Sequence, residues 1–388
     1  MTINLFDDTA WASLRPLTYT RPVADLRVGI LTIAEKWEKL LNARIGFLTQ
    51  PYLSKKYPAI EDAEIMINGS VCPTDQLIDA ILTLKSGQSL CKDELVIACY
   101  GQVQDVNTQD QSAIKRYTAD FNRIIFPEDI FKFNDAELKL DFERITRGRS
   151  SASLSATNTF IGDQFFAEEG AIAESVTFNS LKGPIYLGKN TEVWEGCHIR
   201  GSFALCHDAQ VKMGAKIYGE TTIGPFSRVG GEISNAVIWG YSSKGHDGYL
   251  GNAVLGQWCN IGADSNNSNL KNNYADVKLW DYGHQHFRDT GLQFCGLIMA
   301  DHAKCGINTM FNTGTVAGVS ANIFGPGFPR NFIPDFAWGG AQGFETYTLT
   351  KMFETAEKVY ERRNKNFDQM EKDILNQVFE DTKTYRHF

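Results

Sequence analysis

Eight aliphatic residues recur at intervals of six without a miss: Leu187, Val193, Ile199, Leu205, Val211, Ile217, Ile223 and Val229. Leu181 extends the series one step back, and glycine follows directly at Leu187-Gly188 and Ile223-Gly224. A period of six suits neither a helix nor a half-buried strand. It suits a parallel β-helix of hexapeptide repeats, in which three short strands make one coil and the aliphatic side chains stack in columns inside it. The register lapses near Asn235 and returns as Leu250-Gly251, Leu255-Gly256 and Ile261-Gly262. It fades again through an asparagine-rich stretch and resumes around Ile298, Ile307, Val316 and Val319. Insertions in a solenoid become loops on one face, often the binding face. His246 and the asparagines are therefore expected on or beside such loops.

The chain before the repeat is built differently. Ile3-Asn4-Leu5-Phe6, Ile45-Gly46-Phe47-Leu48, Ile65-Met66-Ile67 and Leu95-Val96-Ile97-Ala98 are short apolar runs of buried-strand type. Helical patterns lie between them at Ile33 to Asn42 and Thr74 to Leu84, which predicts an α/β domain with a mainly parallel sheet. Phe131 to Thr146 reads as one more helix, and the small polar run Ser150 to Asn158 as a boundary. Beyond Gly340, Leu349, Met352, Phe353, Ala356 and Tyr360 recur at helical spacing, followed by Phe367 to Phe379. The expected organisation is an α/β domain over 1–148, the repeat over 149–340 and a helical cap on the open end of the coil over 341–388.

Composition narrows the class. A net charge of −8 argues against a nucleic-acid surface. The eight cysteines show no C-x-x-C pair and sit in apolar or repeat segments, as reduced thiols of a cytoplasmic protein would. Two aspartates within Met1 to Asp8 argue against a signal peptide, and no apolar run approaches a membrane span.

One stretch breaks the repeat with chemistry. From Asn260 to Tyr274, six of fifteen residues are asparagine, and His246 stands just upstream with Lys244 two residues before it. Asparagine supplies no apolar surface and favours turns. The run either walls a binding site or forms a stacked ladder that stabilises the coils. Histidine is the side-chain type best suited to act as a general base near neutrality, which makes His246 the candidate. His284-Gln285-His286 lacks a zinc-like spacing to any Cys or acid and reads as a loop. No metal ligands are assigned.

Two segments carry family resemblances. Leu14-Arg15-Pro16-Leu17-Thr18-Tyr19-Thr20-Arg21-Pro22 resembles the segment after the glycine-rich loop of sugar-1-phosphate nucleotidylyltransferases. Here Asp7 to Ser13 replaces that loop and contains no glycine, and Val23 stands where the family has lysine. The domain is either a diverged nucleotidylyltransferase using UTP and Mg²⁺ with Arg15, Arg21 and Arg27 on the nucleotide, or a retained scaffold. Gly245-His246, Tyr249-Leu250-Gly251, Leu255-Gly256 and Asn260-Ile261-Gly262-Ala263 are similar to the acetyltransferase domain of the bifunctional N-acetylglucosamine-1-phosphate uridylyltransferase / glucosamine-1-phosphate N-acetyltransferase family. The closest resemblance is to its Bacteroidetes-type members with a diverged N-terminal domain.

The resemblance implies a left-handed β-helix, acetyl-CoA as acyl donor, glucosamine 1-phosphate as acceptor and a homotrimer. It makes His246 the base, Glu232 an acidic neighbour, and Tyr249, Asn260 and Asn273 sugar contacts. Lys212 falls where the family has an arginine, keeping the charge without the fork geometry. Ala263 and Gly306 fall where the backbone meets acetyl-CoA. A family lysine for the substrate phosphate falls at Ser234, so Lys244, Lys271 or Lys278 is expected to replace it. The rival readings are a sugar-nucleotide pyrophosphorylase with a non-catalytic coil, and a structural trimerisation scaffold.

Overall fold

The first apolar run forms β1 (Thr2–Phe6), which β2 (Arg44–Leu48) and β3 (Ile65–Asn68) flank in parallel. The computed structural model describes residues 1–103 and 110–388. A single helical turn, α1 (Ala10–Ser13), and α2 (Ile33–Leu41) lie in the crossover from β1 to β2; α3 (Asp75–Leu82) follows β3. β4 (Ser89–Lys92), β5 (Leu95–Tyr100) and β6 (Ile114–Arg116) complete a six-stranded sheet of order β2-β1-β3-β5-β4-β6. Three of its five pairings are parallel, as expected, and β5 runs antiparallel to both β3 and β4. Only Asp93 and Glu94 separate β4 from β5, too few residues for the crossover a parallel pair requires.

Local chemistry sets the helix limits. Thr32 and Glu35 form a reciprocal capping box at the start of α2, with bonds of 2.7 and 3.1 Å. α4 (Pro127–Thr146) begins four residues before the Phe131 expected from hydrophobic spacing. Pro127 suits the first helical position, and the Asp129 carboxylate accepts from the Ile125 and Phe126 amides. Beneath α4, Lys36 is buried between Asp141 (2.6 Å) and Glu137 (3.0 Å), tying α2 to α4.

From Thr159 onward the chain winds as a parallel solenoid with three faces, the left-handed β-helix expected from the repeat. Residues pair with those one coil on, Ile185 with Phe203, Val193 with Val211 and Ile199 with Ile217, and all eight residues of the hexad series are buried. The lapse near Asn235 is a pair of shortened corners: Val229 pairs with Lys244 and Ile223 with Ile238, each closer in sequence than the earlier partners.

Two register expectations are corrected. Leu181 is 69% exposed, because Phe178 pairs with Ile199 and Leu181 falls in an enlarged turn between coils. In the last coils the inward residues are Met299, Cys305, Phe311, Ala317 and Ile323, still six apart. Ile298, Val316 and Val319 instead pack outward against the N-terminal core, and Ile307 is 71% exposed.

That outward packing merges the two halves. One hydrophobic cluster runs from Ile3, Leu17 and Ile130 of the first domain into Val237, Trp239, Val254 and Ile298 on one face of the coil. A second cluster fills the coil itself. α5 (Leu349–Glu361) and α6 (Gln369–Asp381) join the first cluster through Met352, Ala356, Tyr360, Leu375 and Val378, so they brace the coil against the first domain. The coil's open end is covered instead by Phe344, on a terminal hairpin of Ala337–Gly340 and Gly343–Thr346.

Candidate active site

Within the coil, one column of inward residues on a single face runs Val193, Val211, Val229, Lys244, Ile261, Cys305 and Ile323. Lys244 occupies an aliphatic position. It is 1% exposed, and its ammonium donates to the carbonyls of Gly230 (3.0 Å) and His246 (2.7 Å). Burial pushes its pKa down to about 8 against the opposing charge of Asp247. Lys244 therefore has no path to a solvent-borne phosphate, contrary to the sequence expectation. It is a strut beneath the His246 corner.

His246 itself is exposed, at the corner between the Ser243–Lys244 strand and the Tyr249–Leu255 strand. The coil below passes this corner with only Gly230 and Gly231. A Cβ on Gly231, at φ +73°, would meet the carbonyl oxygens of Gly248 at 2.8 Å and His246 at 2.9 Å. Gly248, at φ +116°, could not carry a Cβ past the Ser265 carbonyl. Glycine at both points lets the histidine-bearing corner seat on its neighbours.

Beyond the corner, Tyr249 lies opposite Glu232 in the ladder, and Glu232 reaches Lys216 at 3.7 Å. The Tyr249 amide is held by the Asn266 side chain (2.7 Å), and its hydroxyl accepts from Asn269 (3.0 Å), which also donates to Asn252 (2.8 Å). Burial raises the Tyr249 pKa, keeping the phenol protonated. Asn267 is buried and makes two bonds to Gly251, from its amide nitrogen to the carbonyl and from the Gly251 amide to its oxygen (2.9 and 2.8 Å). Asn266 and Asn267 thus bond backbone groups of the preceding coil and pair with Met310 and Phe311 of the next, while Asn269 bonds Asn252, so they tie coils together without stacking asparagine on asparagine throughout.

Asn260 is exposed on the adjacent face, between Ser243 and Lys304, so it does not share a face with Tyr249 and Glu232. His246 stands at the edge between these two faces. Along the same edge, the residues following the inward column are Lys212, Gly230, Gly245, Gly262, Gly306 and Phe324. Four successive glycines leave a strip without side chains. Ala263 lies beside it, its carbonyl accepting from Asn308 (2.8 Å). At its lower end the Lys212 ammonium sits 3.6 Å over the Trp194 ring and bonds Gln210 (2.9 Å).

Asn273 and Lys278 do not join this group. The Asn273 side chain accepts from the Ala275 amide within its own turn, and Lys278 belongs to a separate groove together with Lys271. A cleft at Ser234 brings in residues that sequence reasoning passed over. Ser234 and Asn252 line a cleft of about 600 Å³ with Arg200, Lys182, Tyr218 and, from α4, Lys139. Lys139 is paired with Asp135 at 2.6 Å, whereas Lys182 and Arg200 make no ion pair among the described residues. Coil pairing places Arg200 two coils below Ser234, a relation visible only once the shortened corner is known.

The N-terminal strand ends form a second place where a ligand would be sought. There Asp7 accepts from Thr49 (2.6 Å) and Val23 (2.9 Å), and burial pushes its pKa up to about 6. Asp8 accepts from Ala10, Asn68 and Arg123. Arg21, expected on the nucleotide, is 2% exposed; it is paired with Asp301 of the coil and with Asp25 (2.9 Å), and stacks over Trp239. Arg27 is buried against Glu35 and the Ile30 carbonyl, and Arg15 donates to Ala12 beside the Trp11 and Tyr19 rings. A buried guanidinium needs such partners, and Arg21 fastens the domain to the coil through Asp301. All eight cysteines are buried and free, and no cluster of three or more His, Cys, Asp or Glu suited to a metal occurs among the described residues. No helix there is long and apolar enough to cross a membrane.

Residues 3–150 match the family model described as sugar nucleotidyl transferase. Among curated proteins none is similar in sequence. Among solved structures, the chain is similar to the UDP-N-acetylglucosamine acyltransferase from Campylobacter jejuni, at 15% identity over 60% of this chain and 83% of that one, with a TM-score of 0.28. The corresponding values for the Francisella novicida UDP-N-acetylglucosamine acyltransferase are 12%, 60%, 87% and 0.27. For an N-acyltransferase from Bacillus cereus in complex with dTDP and coenzyme A they are 11%, 52%, 91% and 0.23. At these scores the likenesses carry no functional argument, and the fold rests on the strand register of the coil itself.

Proposed function

We propose that this chain is an acetyl-CoA-dependent N-acetyltransferase acting on an amino sugar phosphate, with glucosamine 1-phosphate the acceptor implied by the sequence resemblance. The observation that carries this reading is the His246 corner. An exposed imidazole sits over a buried strut, Lys244, with Glu232 and Tyr249 on the face beside it and a glycine strip along its edge.

Bound acetyl-CoA would supply the thioester carbonyl, with Ala263 and the Gly262–Gly306 strip as its seat. His246 takes the proton of the sugar amine as the nitrogen bonds to the carbonyl carbon; the carbon–sulfur bond breaks and the thiolate leaves to be protonated. Glu232 and Tyr249 orient the sugar, while Lys182 and Arg200, in the cleft that includes Ser234, supply the cations for its phosphate. Asn260, across the corner, contacts the acceptor bound to a neighbouring copy. A homotrimer is proposed on that ground, supported by the exposed Met213, Ile307 and Phe324 near the same edge. The N-terminal domain serves as a scaffold, since Arg21 and Arg27 are committed to packing.

The test is thiol release from acetyl-CoA with a panel of amino sugar phosphates, comparing the native chain with His246→Ala. Release that depends on both the sugar and His246 supports the proposal. No release with any acceptor overturns it and leaves the trimerisation scaffold. Turnover of UTP with Mg²⁺ and a sugar 1-phosphate would overturn the scaffold role of the first domain and favour the pyrophosphorylase reading.

A further inference from the structure

The insertion after Asn269 folds into an antiparallel hairpin, Lys278–Asp281 with His286–Asp289, that the acetyl-transfer reading does not use. It is firmly moored. The Tyr282 hydroxyl donates to Asp335 (2.7 Å), and Arg288 pairs with Glu128 at 2.5 Å while lying 3.8 Å over the Phe126 ring. Beside it opens a groove of about 560 Å³ that shares no lining residue with the Ser234 cleft.

The walls of this groove combine three cations, Lys271, Lys278 and Arg330, with three aromatic rings, Trp280, Phe287 and Phe332, and include no acidic residue, although the chain carries a net charge of −8. Lys271 donates to the Asp276 carbonyl, but Lys278 makes no ion pair among the described residues, its cross-strand neighbour Asp289 included. Arg330 makes no side-chain ion pair among the described residues and lies 5.6 Å over the Phe344 ring. Trp280 stacks on Phe332 with centroids 4.2 Å apart, and Phe287, 41% exposed, meets Trp280 edge-on. The Trp280 indole N–H is buried without a partner. Open cations leave an anion to be bound, and flat rings next to them favour an anion that carries its own aromatic plane.

The geometry points to a nucleoside phosphate site in this groove, the base lying against Phe287 and Trp280 and the phosphate between Lys278 and Arg330. The ligand could be a free nucleotide or the nucleotide end of a larger cofactor, and these share one recognition chemistry.

Calorimetric titration of the full chain with UMP, AMP, adenosine 3′,5′-bisphosphate, adenosine and inorganic phosphate tests it without any turnover, so its outcome is independent of the acetyl-transfer reading. At least one nucleotide should bind about tenfold or more tightly than adenosine or phosphate alone. Preference for the bisphosphate would identify the coenzyme A end as the source, and preference for UMP or AMP a free nucleotide. Lys278→Glu with Arg330→Glu should remove this binding, and Phe287→Ala should weaken nucleotides while leaving phosphate unchanged; both changes are at exposed positions. The inference is overturned if no nucleotide binds, if adenosine or phosphate binds as tightly, or if the variants bind nucleotide like the native chain. It is equally overturned if Phe287→Ala changes only the oligomeric state in sedimentation.

Discussion

Replacing Lys244 by Met removes the ammonium while keeping a side chain of similar length in the column. In the folded chain Lys244 has a pKa of about 8, against 10.5 for an ordinary lysine. The folded state therefore disfavours the charged form. Below pH 8 the penalty is fully present, at about 1.4 kcal/mol for each pH unit of separation, or roughly 3 kcal/mol. As pH rises from 8 towards 10.5 the unfolded chain holds the proton more than the folded one does, so folding stability recovers. Two losses oppose the gain from substitution, because the Gly230 and His246 carbonyls lose their donor, at about 1 to 2 kcal/mol each. The absolute effect at pH 7 is thus a near balance, whereas its pH dependence is not.

Urea unfolding of both proteins at pH 7 and pH 10 isolates that dependence, since other titrations cancel in the difference. The native chain should gain roughly 2 to 3 kcal/mol on Lys244→Met between the two pH values. Parallel stabilities would refute the buried charge. The same substitution frees the His246 carbonyl, and under the proposed reaction it should lower kcat about tenfold, the value of one charge-assisted bond, with little change in KM. An unchanged kcat would refute the strut role.

Three further outcomes are expected. Asp301→Ala leaves the Arg21 guanidinium buried without its main partner and should cost about 3 to 5 kcal/mol by thermal or urea unfolding. Asn267→Leu removes both bonds to Gly251 and should cost about 2 kcal/mol despite being more apolar, which urea unfolding checks. Lys182→Glu with Arg200→Glu should raise the KM for an amino sugar phosphate by about 10 to 100-fold with kcat nearly kept, and should leave an unphosphorylated amino sugar unaffected.

The fold was legible where a single residue type repeats. Leu187 to Val229 define the coil because each inward position is aliphatic and each coil has the same length. The later coils keep the spacing but fill it with Met299, Cys305, Phe311 and Ala317, so a search for aliphatic residues settles on Ile298 and Val316 one position away. Those two are apolar for a different reason, the domain packed on that face. Pairing across domains has no local signal at all. Arg21 reads as a phosphate ligand in sequence, and only the fold shows that Asp301, far along the chain, holds it. Lys182 and Arg200 escaped for a related reason, since Lys182 lies in an enlarged turn and the place of Arg200 two coils below Ser234 depends on a corner that shortens the coil between them.

Of the candidate site, the segment from His246 to Tyr249 was legible and its support was not. The two inward columns that meet at this corner are apolar except at Lys244 and Asn267. Each polar residue is costly in such a core and tolerable only if its hydrogen bonds are satisfied. Lys244 makes its bonds to Gly230 and His246, and Asn267 makes both of its principal bonds to Gly251. The two exceptions therefore hold the stretch from His246 to Gly251 from opposite sides, one coil position apart. Elsewhere in these columns the coil needs no such device, since packing alone fixes the backbone. Under the proposed reaction, rigid placement beyond what packing supplies is what the base and the sugar-orienting phenol would require, for a displacement of about 1 Å costs a catalyst heavily. Local departures from the apolar pattern thus mark where the coil is asked to do more than fold.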